Sequence, residues 1–200
     1  MKLYLLPILV IGALSTAASQ AAEVSYGLTL NGKYTDYRQD AEAYELPGFG
    51  LGGEAGLDDE GFSLNHSEFT MQVDAEHLTA WMTVVFPEED GDIDAELEEL
   101  YLESVGLGNG LTLRAGQFFA GVGYLNQQHP HAWDFADAPL AYRGFWGRNY
   151  IDRGLRINWV APTDMFVELG LDALNGGGYP AGRSDSWDGI DAHVAYVNFG

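Results

Sequence analysis

The feature that most constrains this chain is a period-two alternation of apolar and polar side chains, which places successive residues on opposite faces of a strand. In residues 153–161, Leu155, Ile157, Trp159 and Ala161 share one face while Gly154, Arg156, Asn158 and Val160 take the other. Ala161-Pro162-Thr163-Asp164 then reads as a turn, with proline preset for its second position. Beyond it Met165, Val167, Leu169, Leu171 and Ala173 alternate with Phe166, Glu168, Gly170 and Asp172. The pattern predicts a hairpin, apolar on one side and charged on the other.

The same two-faced pattern recurs. Residues 65–75 set Phe69, Met71, Val73 and Ala75 against Glu68, Thr70, Gln72 and Asp74, and residues 111–115 set Leu111, Leu113 and Ala115 against Thr112 and Arg114. Further strands are predicted at 24–30, 78–86 and 190–196. Residues 96–105 fit either a short amphipathic helix or a strand with Leu100 and Leu102 outward and Glu99, Tyr101 and Glu103 inward; the neighbouring strands favour the strand. Seven or eight strands result.

Such alternation suits a soluble sandwich, apolar face inward, or a membrane barrel, apolar face outward. The N-terminus favours export: Met1-Lys2 is a basic start, residues 3–14 are apolar, and small residues follow with Ser19-Gln20-Ala21 as a cleavage signal. The expected organisation is a signal peptide over 1–21 and one β-barrel domain over 22–200. The absence of cysteine excludes disulfide scaffolds and thiolate zinc sites. Aromatics near strand ends (Tyr101, Phe118, Trp159, Phe166, Tyr196) fit interfacial girdles. The fold class expected is therefore all-β, an antiparallel transmembrane β-barrel, because a bilayer leaves edge amides unsatisfied unless the sheet closes. Nine basic against 30 acidic residues, a formal charge of -21, argue against a nucleic-acid partner.

The connections are unequal. Residues 42–61 are rich in glycine and acid, 87–99 are dominated by acid, 120–153 are long and aromatic, and 175–188 are glycine-rich, whereas the intervening turns are short. That asymmetry matches a barrel with short periplasmic turns and long external loops. The acidic stretch reads as a solvated loop able to hold divalent ions at lipopolysaccharide.

Two sets of residues carry a family likeness. Glu98-Glu99-Leu100-Tyr101-Leu102, Gly110-Leu111-Thr112-Leu113-Arg114-Ala115-Gly116-Gln117-Phe118 and Gly123-Tyr124-Leu125-Asn126 resemble the strand, turn, strand and inward loop of the phosphate-selective porin O and P group. Leu46-Pro47-Gly48-Phe49, Gly61-Phe62-Ser63-Leu64, His129-Pro130-His131-Ala132-Trp133-Asp134-Phe135, Pro139-Leu140-Ala141-Tyr142-Arg143 and residues 155–169 are similar to outer-membrane proteins labelled zinc-regulated TonB-dependent receptors. The resemblance implies a porin-like outer-membrane barrel of which this chain is the N-terminal half. No plug can be placed between Ala22 and the first strand, which counts against the TonB part of that label.

The function expected is a porin or receptor-type channel for small solutes, without a catalytic step and without a required cofactor. Arg114, Arg156, Asn158, Glu168 and Asp172 are the expected pore-lining residues. Interior carboxylates outnumber these arginines, which favours cations over phosphate. His129, His131, Asp134 and Asp137 form a candidate site for zinc, as a bound or transported ion, since imidazole and carboxylate suit that metal. Expected partners are outer-membrane lipid and lipopolysaccharide; a homo-oligomer is compatible with the pattern. Two other classes stay open. One is a periplasmic glycan-binding sandwich using Trp133, Trp146 and Trp187, and the other an outer-membrane hydrolase pairing His129 and Asp134 with Ser63, Ser67 or Ser104.

Overall fold

The computed structural model describes residues 22–38, 60–64, 66–89, 91–177 and 189–200. The expected signal peptide, the Leu46-Pro47-Gly48-Phe49 motif and Trp187 lie outside them. In chain order the strands are β1 (Glu23–Thr29), β2 (Lys33–Thr35), β3 (Gly61–Ser63), β4 (Ser67–Asp74), β5 (Leu78–Phe86), β6 (Glu88–Glu89), β7 (Asp92–Ile93), β8 (Glu96–Ser104), β9 (Leu111–Phe119), β10 (Ile151–Val160), β11 (Val167–Leu174) and β12 (Ala192–Phe199). Among the described residues one α-helix, α1 (Leu140–Trp146), stands between β9 and β10. Pro139 precedes it and Gly147, at φ 79°, ends it, the usual asymmetry of helix start and stop.

Eight strands form one antiparallel sheet in the order β1-β4-β5-β8-β9-β10-β11-β12, and two small hairpins, β2-β3 and β6-β7, stand apart. The fold is all-β and antiparallel, an up-and-down meander. Within the described residues the sheet is open, with β1 and β12 as its edges. The ambiguous stretch 96–105 is strand, paired to β5 and β9. The acidic stretch is not one solvated loop. Glu88–Glu89 pairs with Asp92–Ile93, and Glu98 and Glu99 are buried on β8.

Burial runs opposite to that of an ordinary soluble sheet. Leu113, Ile157 and Leu171, neighbours across β9, β10 and β11, are 43%, 46% and 49% exposed, while Glu68, Thr83, Arg156 and Asp172 are at most 3% exposed. The apolar face is bare and the polar face is covered. Its cover is the segment 120–150, held down by named contacts. Gly121 N–H donates to Asp172 (2.8 Å) and His129 Nδ1 stands 3.0 Å from Glu68 and Glu98, while Arg156 donates to the Phe119 carbonyl (2.8 Å) where the chain leaves β9 and Asn126 ties the segment's own ends together through the carbonyls of Ala120 (2.8 Å) and Tyr150 (3.0 Å). Beneath it sits a small apolar cluster of Phe118, Ala120, Tyr150 and Leu174.

Alternation groups Ile190, Ala192, Val194 and Tyr196 as the apolar face of the last strand, against Asp191, His193 and Ala195, and the structure turns the strand's part of that face inward. On β12 it is Ala192, Val194, Tyr196 and Asn198 that are half-buried, and His193, Ala195, Val197 and Phe199 that are exposed. Among the girdle candidates, Trp159 and Phe166 are exposed, but Phe118 is fully buried. Tyr101 lies beneath the Arg114 guanidinium at 4.0 Å, and Tyr196 donates from its hydroxyl to Asn158 (2.7 Å). Alternation alone cannot tell an inward aromatic from an interfacial one.

Gly116 pairs with Tyr101 across β8 and β9. Its φ is +140°, and a Cβ there would sit 2.2 Å from the Leu100 carbonyl oxygen and 2.6 Å from the Tyr101 Cα. Backbone cannot yield as a side-chain end can. Gly116→Ala is expected to cost about 2 kcal/mol in urea unfolding. Gly106→Ala, with φ +74° but open space around the Cβ, is expected to cost about 1 kcal/mol.

A candidate metal centre on the covered polar face

Register decides what meets on the polar face. Glu103 opposes Arg114, Arg114 opposes Arg156, and Arg156 opposes Asp172, so four charged side chains form one row across β8 to β11. Each arginine turns to the acid at its end of the row. Arg114 meets Glu103 at 2.7 Å, and Arg156 grips Asp172 through Nε (2.6 Å) and Nη2 (2.7 Å). Arg114, Arg156, Asn158 and Glu168 all line a cavity of about 420 Å³, together with Glu99 and Trp81. Asp172, expected to line a pore, is instead fully buried, where it orients Arg156 and the Gly121 backbone.

A β-bulge builds the second cluster. On β8 the register shifts so that Thr83 opposes Glu99 and Val84 opposes Leu97, leaving Glu98 as the additional residue. An additional residue breaks the alternation, and both Glu98 and Glu99 become buried. Glu68, on β4 at the other side of β5, is buried as well.

The histidines come from the covering segment. Pro130 opens a 3-10 turn over Pro130–Ala132, its ring presetting the first turn position. The turn brings the His129 and His131 rings within 5.7 Å of one another, centre to centre. Extended chain is therefore not needed to put the two on one side. His129 Nδ1 stands 3.0 Å from both Glu68 Oε2 and Glu98 Oε2, and its Nε2 is 3.1 Å from Glu99 Oε2. His131 Nδ1 contacts Glu68 Oε1. At the far side of Glu98, His66 Nε2 lies 3.0 Å from Oε1, and Arg148 reaches His66 Nδ1 at 3.2 Å. Arginine can only donate, so Nδ1 accepts and Nε2 carries the proton toward Glu98.

Burial works against a charged His129, but the carboxylates of Glu68, Glu98 and Glu99 outweigh it and push the imidazole up to about 12. The imidazolium thus offsets part of a dense negative charge. It does not complete the bonding: both oxygens of Glu68, Oε2 of Glu98 and Nδ1 of His129 are buried without an aligned hydrogen bond. One donor atom each from Glu68, His129 and His131 lies within 4.8 Å of the other two. Two imidazoles and a carboxylate are a donor set suited to a divalent transition metal.

Asp134 and Asp137, expected as ligands beside the histidines, are not in this group. Asp137 pairs with Lys33 at 3.1 Å and its side chain is 52% exposed, while Asp134 is exposed. Short sequence spacing brought these residues together on paper; the turn at Pro130 aims the histidines at the wall. Sequence reasoning placed Glu68 and Glu99 inside the fold but missed them as partners of the histidines; it read Glu98 only as part of the acidic stretch and the porin-like motif, and it missed His66 altogether. The signal available was the Glu98-Glu99 pair, two adjacent acids in an otherwise alternating strand. For the hydrolase reading, Ser67 Oγ accepts from Asn31 N (3.1 Å) and Ser104 Oγ from Leu113 N (2.8 Å), whereas both ring nitrogens of His129 face carboxylates.

Fold and site together define an antiparallel β-sheet protein with an enclosed acid and histidine cluster on its polar face. Among curated proteins the chain is similar to an uncharacterized protein of Aquifex aeolicus (strain VF5), 35% identical over 117 residues, which are 58% of this chain and 24% of that protein. The matched part thus spans about a quarter of that relative's length. No family model matches the chain, and no solved structure matches it.

Proposed function

We propose that this chain forms part of a porin-like β-barrel of the bacterial outer membrane, a channel for small solutes with a preference for cations. The observation that carries the reading is the inverted burial, with aliphatic rows exposed on β9, β10 and β11 and charged rows enclosed behind them. Burying apolar area is the main favourable term in water, so a face of this kind needs a nonaqueous neighbour, and hydrocarbon supplies it. In that setting both edge strands, β1 and β12, pair with further strands, supplied by a longer protein or by another copy. Residues 120–150 then lie inside the lumen. The 420 Å³ cavity beside them is lined by Glu99, Glu103 and Glu168 against Arg114 and Arg156, and the excess of carboxylate favours cations. No helix among the described residues is long and apolar enough to cross a membrane, so strands would do the crossing. The resemblance to porins and to zinc-regulated receptors points the same way.

The test begins with outer membranes of cells expressing the sequence. The protein is expected to resist carbonate extraction, to migrate faster on SDS gels before boiling than after, and to conduct in planar bilayers with a reversal potential of the sign set by cations. Recovery in the periplasm or in the carbonate wash would overturn the barrel in favour of the soluble sandwich. Anion-selective conductance would retain the barrel and remove the cation preference.

A further inference from the structure

We propose that Glu68, His129 and His131, with Glu98 as a fourth ligand, hold one resident divalent transition-metal ion that staples the covering segment to strands β4 and β8. The proposal goes beyond the channel reading, since it concerns an ion that stays rather than one that passes.

Three observations carry it. The first is the unmet bonding of Glu68, whose side chain is 0% exposed and whose two oxygens both lack an aligned hydrogen bond. A carboxylate taken out of water with its hydrogen bonds unmet is costly even beside an imidazole. A cation bound at these oxygens removes that cost.

The second is the geometry at His129. Two carboxylate oxygens, from Glu68 and Glu98, stand 3.0 Å from the same Nδ1. A ring nitrogen carries at most one hydrogen, which cannot point at both. A metal that displaces the Nδ1 proton to solvent and binds the freed lone pair can accept both oxygens at once, with the ring's other nitrogen donating to Glu99 Oε2 (3.1 Å). A carboxylate on the remote nitrogen of a ligating histidine fixes its tautomer and strengthens it as a ligand. Glu98 is likewise steadied by His66 at its other oxygen.

The third is where the donors come from. The histidines flank the Pro130–Ala132 turn of the covering segment, and the carboxylates stand on two wall strands, β4 and β8. One ion therefore bridges the segment to the wall. Mixed imidazole and carboxylate donors select zinc, copper, nickel or cobalt rather than magnesium or calcium, which prefer all-oxygen shells.

The experiment titrates ZnCl2 into the full 200-residue chain, refolded in detergent and freed of metal, by calorimetry; spin-echo spectra of the Cu(II) form report imidazole nitrogens. One ion per chain is expected. Glu68→Gln keeps the shape of the side chain, and His131→Ala alters a partly exposed residue that the fold can lose. Each should weaken zinc by about tenfold or more. The double variant Asp134→Asn with Asp137→Asn should bind as the unaltered chain does. Zinc should also slow proteolytic cleavage within 120–150, and should not do so in Glu68→Gln.

No binding, binding indifferent to both Glu68→Gln and His131→Ala, or binding lost in the aspartate double variant would overturn the site. Binding without protection of 120–150 would overturn the staple. Heat-modifiable migration, read on the same samples, separates this from the channel reading: zinc bound at these residues in a chain that forms no barrel sinks only the channel.

Discussion

Replacing Asp172 by alanine is expected to destabilise the protein by roughly 3–5 kcal/mol, because it strands a buried guanidinium. Arg156 is 3% exposed and Asp172 is fully enclosed, and the two are joined by two bonds of 2.6 and 2.7 Å. Asp172 also receives the Gly121 N–H at 2.8 Å. After the substitution Arg156 retains the Phe119 carbonyl at 2.8 Å and the face of Phe118 at 4.8 Å, and neither supplies a negative charge. The second half of the experiment is the double variant Asp172→Ala with Arg156→Met. It removes the charge with its partner and should recover most of the loss, since a buried pair exchanged for apolar side chains is often close to neutral. Urea unfolding followed by tryptophan fluorescence reads both. A single-variant loss under about 1 kcal/mol, the range of an exposed pair, would show that the segment 120–150 does not seal this part of the wall from water.

The second large effect concerns the opposite face of the same strand. Ile157 sits between Leu113 and Leu171 in the bare apolar row. If that row meets hydrocarbon, Ile157→Arg should cost about 2–4 kcal/mol in lipid vesicles. If it meets water, an exposed substitution should change stability by no more than about 0.5 kcal/mol. The two expectations do not overlap. A neutral Ile157→Arg in vesicles would remove the membrane reading however the protein migrates on gels. Asn158, the next residue, points to the cavity side and bonds the Tyr196 hydroxyl, so one strand carries both tests on its two faces.

Much of the fold is legible in the sequence because period-two alternation is a local property. Residues 65–75 are enough to predict a strand whose Glu68 and Gln72 share a face, whatever lies elsewhere in the chain. The same holds for Arg156 against Ile157. The 96–105 stretch is resolved by its neighbours, since a helix there would have left β5 and β9 without the partner they share. The Leu140–Trp146 helix escaped because seven residues between a proline and a glycine are too few to show an amphipathic period. Inward aromatics such as Tyr196 escaped for another reason. Gly170, opposite it on β11, offers room for a ring on the polar face, and a Cβ there would stand 2.0 Å from that ring.

The histidine cluster separates the two kinds of information. Sequence alone singled out His129 and His131 as candidate metal ligands and put an acidic face on the strands, because both are statements about residue type and short spacing. Which acids the histidines meet was decided by three-dimensional arrangement. The bulge at Glu98 shifts register by one residue and turns two adjacent glutamates inward, and β4 delivers Glu68 to the same place. The turn at Pro130 then directs the imidazoles at that wall and leaves Asp134 and Asp137 behind. A strand's alternation is set by its own backbone geometry, whereas partners far apart in the chain depend on register, bulges and the path of a covering segment, none of which has a local period.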